Sequence, residues 1–261
     1  MPNPTFTLFE AIAVELSDTD SRVLTDRDWE RADENNPFLD ELGRQYSTSR
    51  EQAISLAVAD MQRHFDARNS MMPFVYDQDS GRFCVVDKTY LAFIGAMIGL
   101  RSTGVVSKEF EIAVLQRLAL RVTGAIHRVG FPRNRLRKIA ACNIHLTGLG
   151  FGNGALRSRQ KDGGLDIIWI LPLGAFPYKP LVVVQCKNGE LNWKDADTSY
   201  ASCHRTLHKH AALTQDAHLQ CVLFNDYVTH DVLPGDAMQY VPLGLSDLAS
   251  PLSAAPQQVI I

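Results

Sequence analysis

The chain has 261 residues, 46% of them apolar, and a formal net charge of −3, which suits one large or two small globular domains with a buried core. No window reaches the roughly twenty apolar residues of a membrane span, and residues 1–16 lack the basic start and unbroken apolar run of a signal peptide. Five cysteines, odd in number and irregularly spaced in apolar context, argue against a disulfide scaffold and predict buried free thiols in a cytoplasmic protein.

Residues 1–105 read as an acid-rich accessory region. Up to residue 66 there are fourteen acids against six Arg and no Lys, a net of −8, which makes this part a poor surface for a polyanion. Ala53, Leu56, Ala57, Met61 and Phe65 recur at helical spacing and predict an amphipathic helix over 48–68. Apolar runs over 74–76 and 83–86 flank Asp77-Gln78-Asp79-Ser80-Gly81, which is a hairpin signal. The segment 90–100 predicts a buried helix, with Gly95 and Gly99 permitting close approach. Dimerisation, regulation and extra packing are the roles open to this region.

From 106 onward the pattern changes. A helix is predicted over 107–123, with Ser107 as N-cap, Phe110, Val114, Leu118 and Val122 on one face, and Arg117 and Arg121 on another. A basic loop and a candidate strand over 139–147 follow. Leu165-Asp166-Ile167-Ile168-Trp169, after Gly163-Gly164, reads as a strand, and so does Leu181-Val182-Val183-Val184-Gln185-Cys186-Lys187, after Pro180. The Pro- and Gly-rich residues 172–180 between them predict a hairpin with an enlarged loop. A helix over 195–213 and a strand over 219–224 come next, and the polar residues 225–231 read as a loop at the rim of a cleft.

Charge is distributed unevenly. Between Ile112 and Lys161 there is no Asp or Glu, while ten basic residues fall in those fifty: Arg117, Arg121, Arg128, Arg133, Arg135, Arg137, Lys138, Arg157, Arg159 and Lys161. The remainder of the chain therefore carries −13. Such a run predicts a positive face directed at a polyanion, with phosphate contacts supplying most of the affinity. It ends at Asp162, beside the strand that carries Asp166.

Side chains alternate across a strand, so Gln185 and Lys187 share a face while Cys186 points the other way. Asp166 on the neighbouring strand can bring a carboxylate beside that amide and ammonium, a layout suited to a divalent cation and an attacking water. His204 and His208 stand one helical turn apart, a zinc-compatible spacing, but no matching second pair accompanies them.

Gly163-Gly164-x-Asp166, a hairpin, and Gln185-x-Lys187 at the end of an apolar strand resemble the PD-(D/E)xK nuclease superfamily. The match is to its Mrr-like restriction-endonuclease branch, where Gln commonly replaces Glu. The order helix, strand, strand, strand, helix, strand resembles that fold's core, and Phe110-Glu111-x-x-Val114 resembles the start of its first helix, with Glu109 as the competing acid. The resemblance implies an α/β, restriction-endonuclease-like fold over 106–252, a mixed central sheet flanked by helices, followed by a tail over 253–261. It implies a Mg²⁺-dependent endonuclease, with Mn²⁺ as a possible substitute, acting on double-stranded DNA in restriction or antiviral defence.

By the same resemblance Asp166, Gln185 and the Cys186 carbonyl hold the metal, Glu111 assists through water, and Lys187 places and helps deprotonate the attacking water. Gln in place of Glu removes one negative charge, which bears on metal affinity. Arg133, Arg135, Arg137, Lys138, Arg157, Arg159 and Lys161 are the expected DNA contacts. Two alternatives stay open: a DNA-binding module of the same fold that has lost cleavage, and a repair or recombination nuclease acting on branched or nicked DNA. One such site cuts one strand, so a homodimer or larger even-numbered assembly is expected.

Overall fold

The computed structural model describes residues 4–18, 23–25, 28, 38–68, 70–102, 107–120, 124–128, 165–171, 181–189, 192–210, 218–228 and 239–249. The chain forms two compact units. One runs from Met1 to Ser102 and resumes at Leu245; the other is Thr103–Gly244. The architecture is mixed α/β, with a small antiparallel sheet in the first unit and a mixed five-stranded sheet in the second.

In the first unit, helix α1 (Pro4–Asp18) packs with α2 (Phe38–Tyr46), α3 (Arg50–Ala67) and α4 (Lys88–Ser102). Strands β1 (Val23–Thr25), β2 (Phe74–Asp77) and β3 (Arg82–Val85) form an antiparallel sheet in the order β1-β3-β2. Alternation directs Phe74 and Phe83 inward. Phe74 then stacks on Phe9 with ring centres 5.3 Å apart, and Phe9 also meets Phe65 at 5.3 Å. The β2–β3 turn closes through Gly81 at φ 61°, a left-handed conformation that glycine adopts without a Cβ penalty.

Two details of this unit differ from expectation. Ala53, Ala57, Met61 and Phe65 of α3 are buried as predicted, but Leu56 is exposed and Ile54 takes its place in the core. The buried stripe is therefore rotated toward the neighbouring position. Gly95 does sit tightly, since a Cβ there would lie 3.2 Å from Ser17 Oγ, whereas Gly99 has open space around it.

Helix α7 (Leu245–Ala249) also groups with this unit, although the sequence pattern extends the second unit to 252. The reason is local. Both carboxylate oxygens of Asp247 accept from Arg68 Nη1, at 2.5 and 2.6 Å, and α7 packs on α4.

The second unit holds α5 (Ser107–Ala119), β4 (Ala125–Arg128), β5 (Ile167–Ile170), β6 (Leu181–Lys187), α6 (Trp193–His210), β7 (His218–Phe224) and β8 (Val241–Leu243). The sheet order is β4-β5-β6-β7-β8. The pairs β4–β5 and β5–β6 are antiparallel, whereas β6–β7 and β7–β8 are parallel. Val182, Val183 and Val184 of β6 are all buried, as a central strand covered on both faces requires. Helix α5 packs on β4 and β6, and α6 packs on β6 and β7.

Strand β4 lies where the sequence predicts a basic loop. Its four residues pair with β5 from Ala125–Ile170 to Arg128–Ile167. The candidate strand over 139–147 lies outside the described residues. Helix α6 begins two residues earlier than predicted because Asn192 caps it, its Oδ1 accepting from the Asp195 N–H at 3.2 Å. Cys203 and Cys221 are buried free thiols as expected, while Cys84 and Cys186 are free thiols and half-buried; Cys142 lies outside the described residues. Among the described residues, no helix is long and apolar enough to cross a membrane.

Candidate active site

Strand β5 meets β6 in a register that ends at Ile167 opposite Val184. Asp166 immediately precedes the first paired residue of β5. Asp166 comes just after the glycine pair and precedes the strand proper, so its side chain can turn along the sheet edge. Its Oδ2 accepts the Cys186 N–H at 2.7 Å, a bond to an ionised acceptor that is stronger than a neutral one. A strand residue directs its N–H and C=O toward the same edge. The Cys186 carbonyl therefore faces the edge on which the Asp166 carboxylate lies.

Gln185 and Lys187 share the face of β6 opposite to the Cys186 side chain. Gln185 is 2% exposed, and its Nε2 donates to the Ser199 carbonyl of α6 at 2.9 Å. That bond fixes the amide, turning its Oε1 away from the carbonyl. Lys187 Nζ donates to the Ser199 hydroxyl. The end of β6 is tied to the loop after β7, since Asn225 N donates to Lys187 O at 2.8 Å and Asn225 Nδ2 to Asn188 Oδ1 at 2.8 Å. Lys187, Asn188, Gly189, Asn192, Asp195 and Phe224 line a cleft of about 140 Å³. It lies beyond the carboxyl ends of parallel strands β6 and β7, the usual place for ligands in open α/β sheets.

A second pair of charges belongs to the α5 side. Arg128 of β4 stands in the row Arg128–Ile167–Val184, and Cys186 has the same parity as Val184. Arg128 Nη2 forms an ion pair with Glu111 Oε2 of α5 at 2.5 Å, with the Glu111 side chain 4% and the Arg128 side chain 19% exposed. Glu109 is exposed, so Glu111 is the acid placed among these charges. The thiol of Cys186 senses them all. Burial pushes it well above the usual thiol range, the Asp166 and Glu111 carboxylates push it further, and Arg128 and Lys187 pull back. Cys186 is thus a neutral structural thiol at ordinary pH.

Of the residues expected from strand alternation and from the resemblance, Asp166, Gln185, Cys186 and Lys187 come together at the end of β6, while Glu111 sits on α5 paired with Arg128. Ser199, Asn192, Asp195 and Asn225 border them without having been expected, although Asn192-x-x-Asp195 carries the signature of a capped helix start. Arg128, counted toward a positive face, is instead engaged by Glu111. Arg117 belongs to α5. Arg121, Arg133, Arg135, Arg137, Lys138, Arg157, Arg159, Lys161 and Asp162 lie outside the described residues. So do the side chains of His208 and His210. Among the described residues no group of three His, Cys, Asp or Glu side chains could hold a metal ion.

Hard divalent cations take oxygen donors, including carboxylates, amide oxygens and main-chain carbonyls. The Asp166 carboxylate, the Gln185 Oε1 and the Cys186 carbonyl are oxygen donors of this kind. No protein-family model, curated protein or solved structure matches this chain.

Proposed function

We propose that the protein is a Mg²⁺-dependent endonuclease of the PD-(D/E)xK superfamily, Mrr-like branch, cutting double-stranded DNA in restriction or antiviral defence. The second unit would then be a restriction-endonuclease-like core. The observation that carries this reading is the bond from the Cys186 N–H to Asp166, which brings the carboxylate to the strand end where Gln185 and Lys187 project. The mixed sheet with one helix on β4 and β6 and another on β6 and β7 supports it.

In this mechanism Asp166, Gln185 Oε1 and the Cys186 carbonyl would hold the cation, whose charge would stabilise the negative charge that develops in the reaction. Lys187 places a water in line with the phosphorus and helps to take its proton. The new P–O bond forms as the bond to the 3′ oxygen breaks, leaving a 5′-phosphate and a 3′-hydroxyl. The Arg and Lys run from Arg133 to Lys161 would bind backbone phosphates.

Plasmid incubated with Mg²⁺ or EDTA tests the reading, using wild type, Asp166→Ala and Lys187→Ala. Cleavage should require Mg²⁺ and vanish in both variants while duplex binding persists. Cutting at near wild-type rate by either variant refutes the assigned centre. The alternative, a DNA-binding module without cleavage, is favoured by the ion pair that already neutralises Glu111. Discrete Mg²⁺-dependent bands would dismiss it.

A further inference from the structure

Gln185 and Lys187 converge on a single residue of α6. The Gln185 Nε2 donates to the Ser199 carbonyl at 2.9 Å, and the Lys187 Nζ donates to the Ser199 hydroxyl. Ser199 lies three residues after Ala196 and four before Cys203, both fully buried, so it belongs to the stripe that α6 turns to the sheet. Alanine is the better helix former at such a position, and Ser199 is half-buried with its hydroxyl bonded. Here the hydroxyl meets an ammonium, and its carbonyl, with two lone pairs, can serve both the helix and the amide.

We propose that Ser199 is the positioning residue of this site, its hydroxyl fixing the Lys187 amine and its carbonyl fixing the Gln185 amide. One helical residue thereby sets the distance between the group that handles the water and the neutral cation ligand. The proposal rests on the nuclease reading above. The lysine side chain has four flexible carbons, so an unanchored amine spreads over many positions. A displacement of about 1 Å from reacting geometry costs on the order of 10²-fold in rate.

The test compares the full chain as wild type, Ser199→Ala and Ser199→Thr. Three quantities are measured: kcat and KM for Mg²⁺-dependent plasmid cleavage, the ¹H–¹⁵N signal of the Lys187 ammonium (assigned by its loss in Lys187→Ala), and Tm. Ser199→Ala should lower kcat about 10²-fold, leave KM for DNA within about twofold as a transition-state effect does, keep Tm, and lose the ammonium signal to fast exchange. Ser199→Thr keeps a hydroxyl and should retain the signal and most of kcat.

A lowered Tm with the ammonium signal intact marks a merely structural serine and overturns the proposal. An unchanged kcat in Ser199→Ala, when the wild type cuts, overturns it too. A wild type that never cuts refutes the nuclease reading instead, and the ammonium signal still decides whether Ser199 holds Lys187.

Discussion

Gln185→Glu separates the two demands on this position. Gln185 is 2% exposed and gives its Nε2 to the Ser199 carbonyl at 2.9 Å. A carboxylate in its place loses that donor, worth about 1 kcal/mol, and sets an oxygen against a buried carbonyl oxygen, which adds about 1–3 kcal/mol. Lys187 on the same face offsets part of this. The net loss is about 2 kcal/mol, or roughly 6 °C in Tm for a chain of this length. On the nuclease reading the sign reverses with Mg²⁺, because a carboxylate binds the ion more tightly than an amide. Ligand at 100 times its Kd returns about 2.7 kcal/mol. Thermal melts of both proteins in EDTA and across a Mg²⁺ series should therefore show a lower starting Tm and a steeper rise for Gln185→Glu. Equal melting in EDTA would mean that the amide does not donate to Ser199. An equal rise with Mg²⁺ would mean that residue 185 does not face the cation.

Arg128→Ala strands the buried Glu111 carboxylate and should cost about 3 kcal/mol in urea unfolding, the low end for a broken buried pair. The double variant Glu111→Gln, Arg128→Met should recover most of that loss; no recovery would mean that the pair is not the source. Neutralising Arg133, Arg135, Arg137 and Lys138 together should weaken duplex binding for any sequence and reduce its salt slope by about 0.9 for each phosphate no longer neutralised. An unchanged slope would return them to a solvated surface. Light scattering at micromolar concentration, with and without duplex DNA, should give a dimer or larger even-numbered assembly; a monomer in both conditions would remove dimerisation from the roles of residues 1–105.

The parts of the fold legible in the sequence are those where periodicity and local signals act together. The hairpin of β2 and β3, the strand over Leu181–Lys187 and the face of α3 all follow from alternation, turn residues or helical spacing. Strand β4 does not, because Ala125-Ile126-His127-Arg128 is four residues long and gains strand identity by pairing with β5. Strand β8 is three residues with Pro242 at its centre, which only an edge strand tolerates. Asp166, Gln185 and Lys187 are legible because their spacing reflects strand geometry. Ser199 and the Glu111–Arg128 pair are not, because each acquires its role from a partner distant in sequence.

The electrostatics around Cys186 give Gln185 a physical rationale. Burial first, and then two carboxylates, Asp166 and Glu111, push the Cys186 thiol up, while two cations, Arg128 and Lys187, pull it back. A glutamate at 185 would add a buried negative charge whenever the cation was absent, at a cost paired burial normally avoids. The amide keeps the strand end neutral and anchored to α6 in the ion-free protein. On the nuclease reading, the consequence is a site that folds without Mg²⁺ but binds it with one carboxylate fewer. Cleavage should then reach half its maximum at a higher Mg²⁺ concentration in wild type than in Gln185→Glu, while the fold of the ion-free protein favours the amide. On the same reading, stability without metal and affinity for it pull residue 185 in opposite directions, and the bond to the Ser199 carbonyl favours Gln in the ion-free protein.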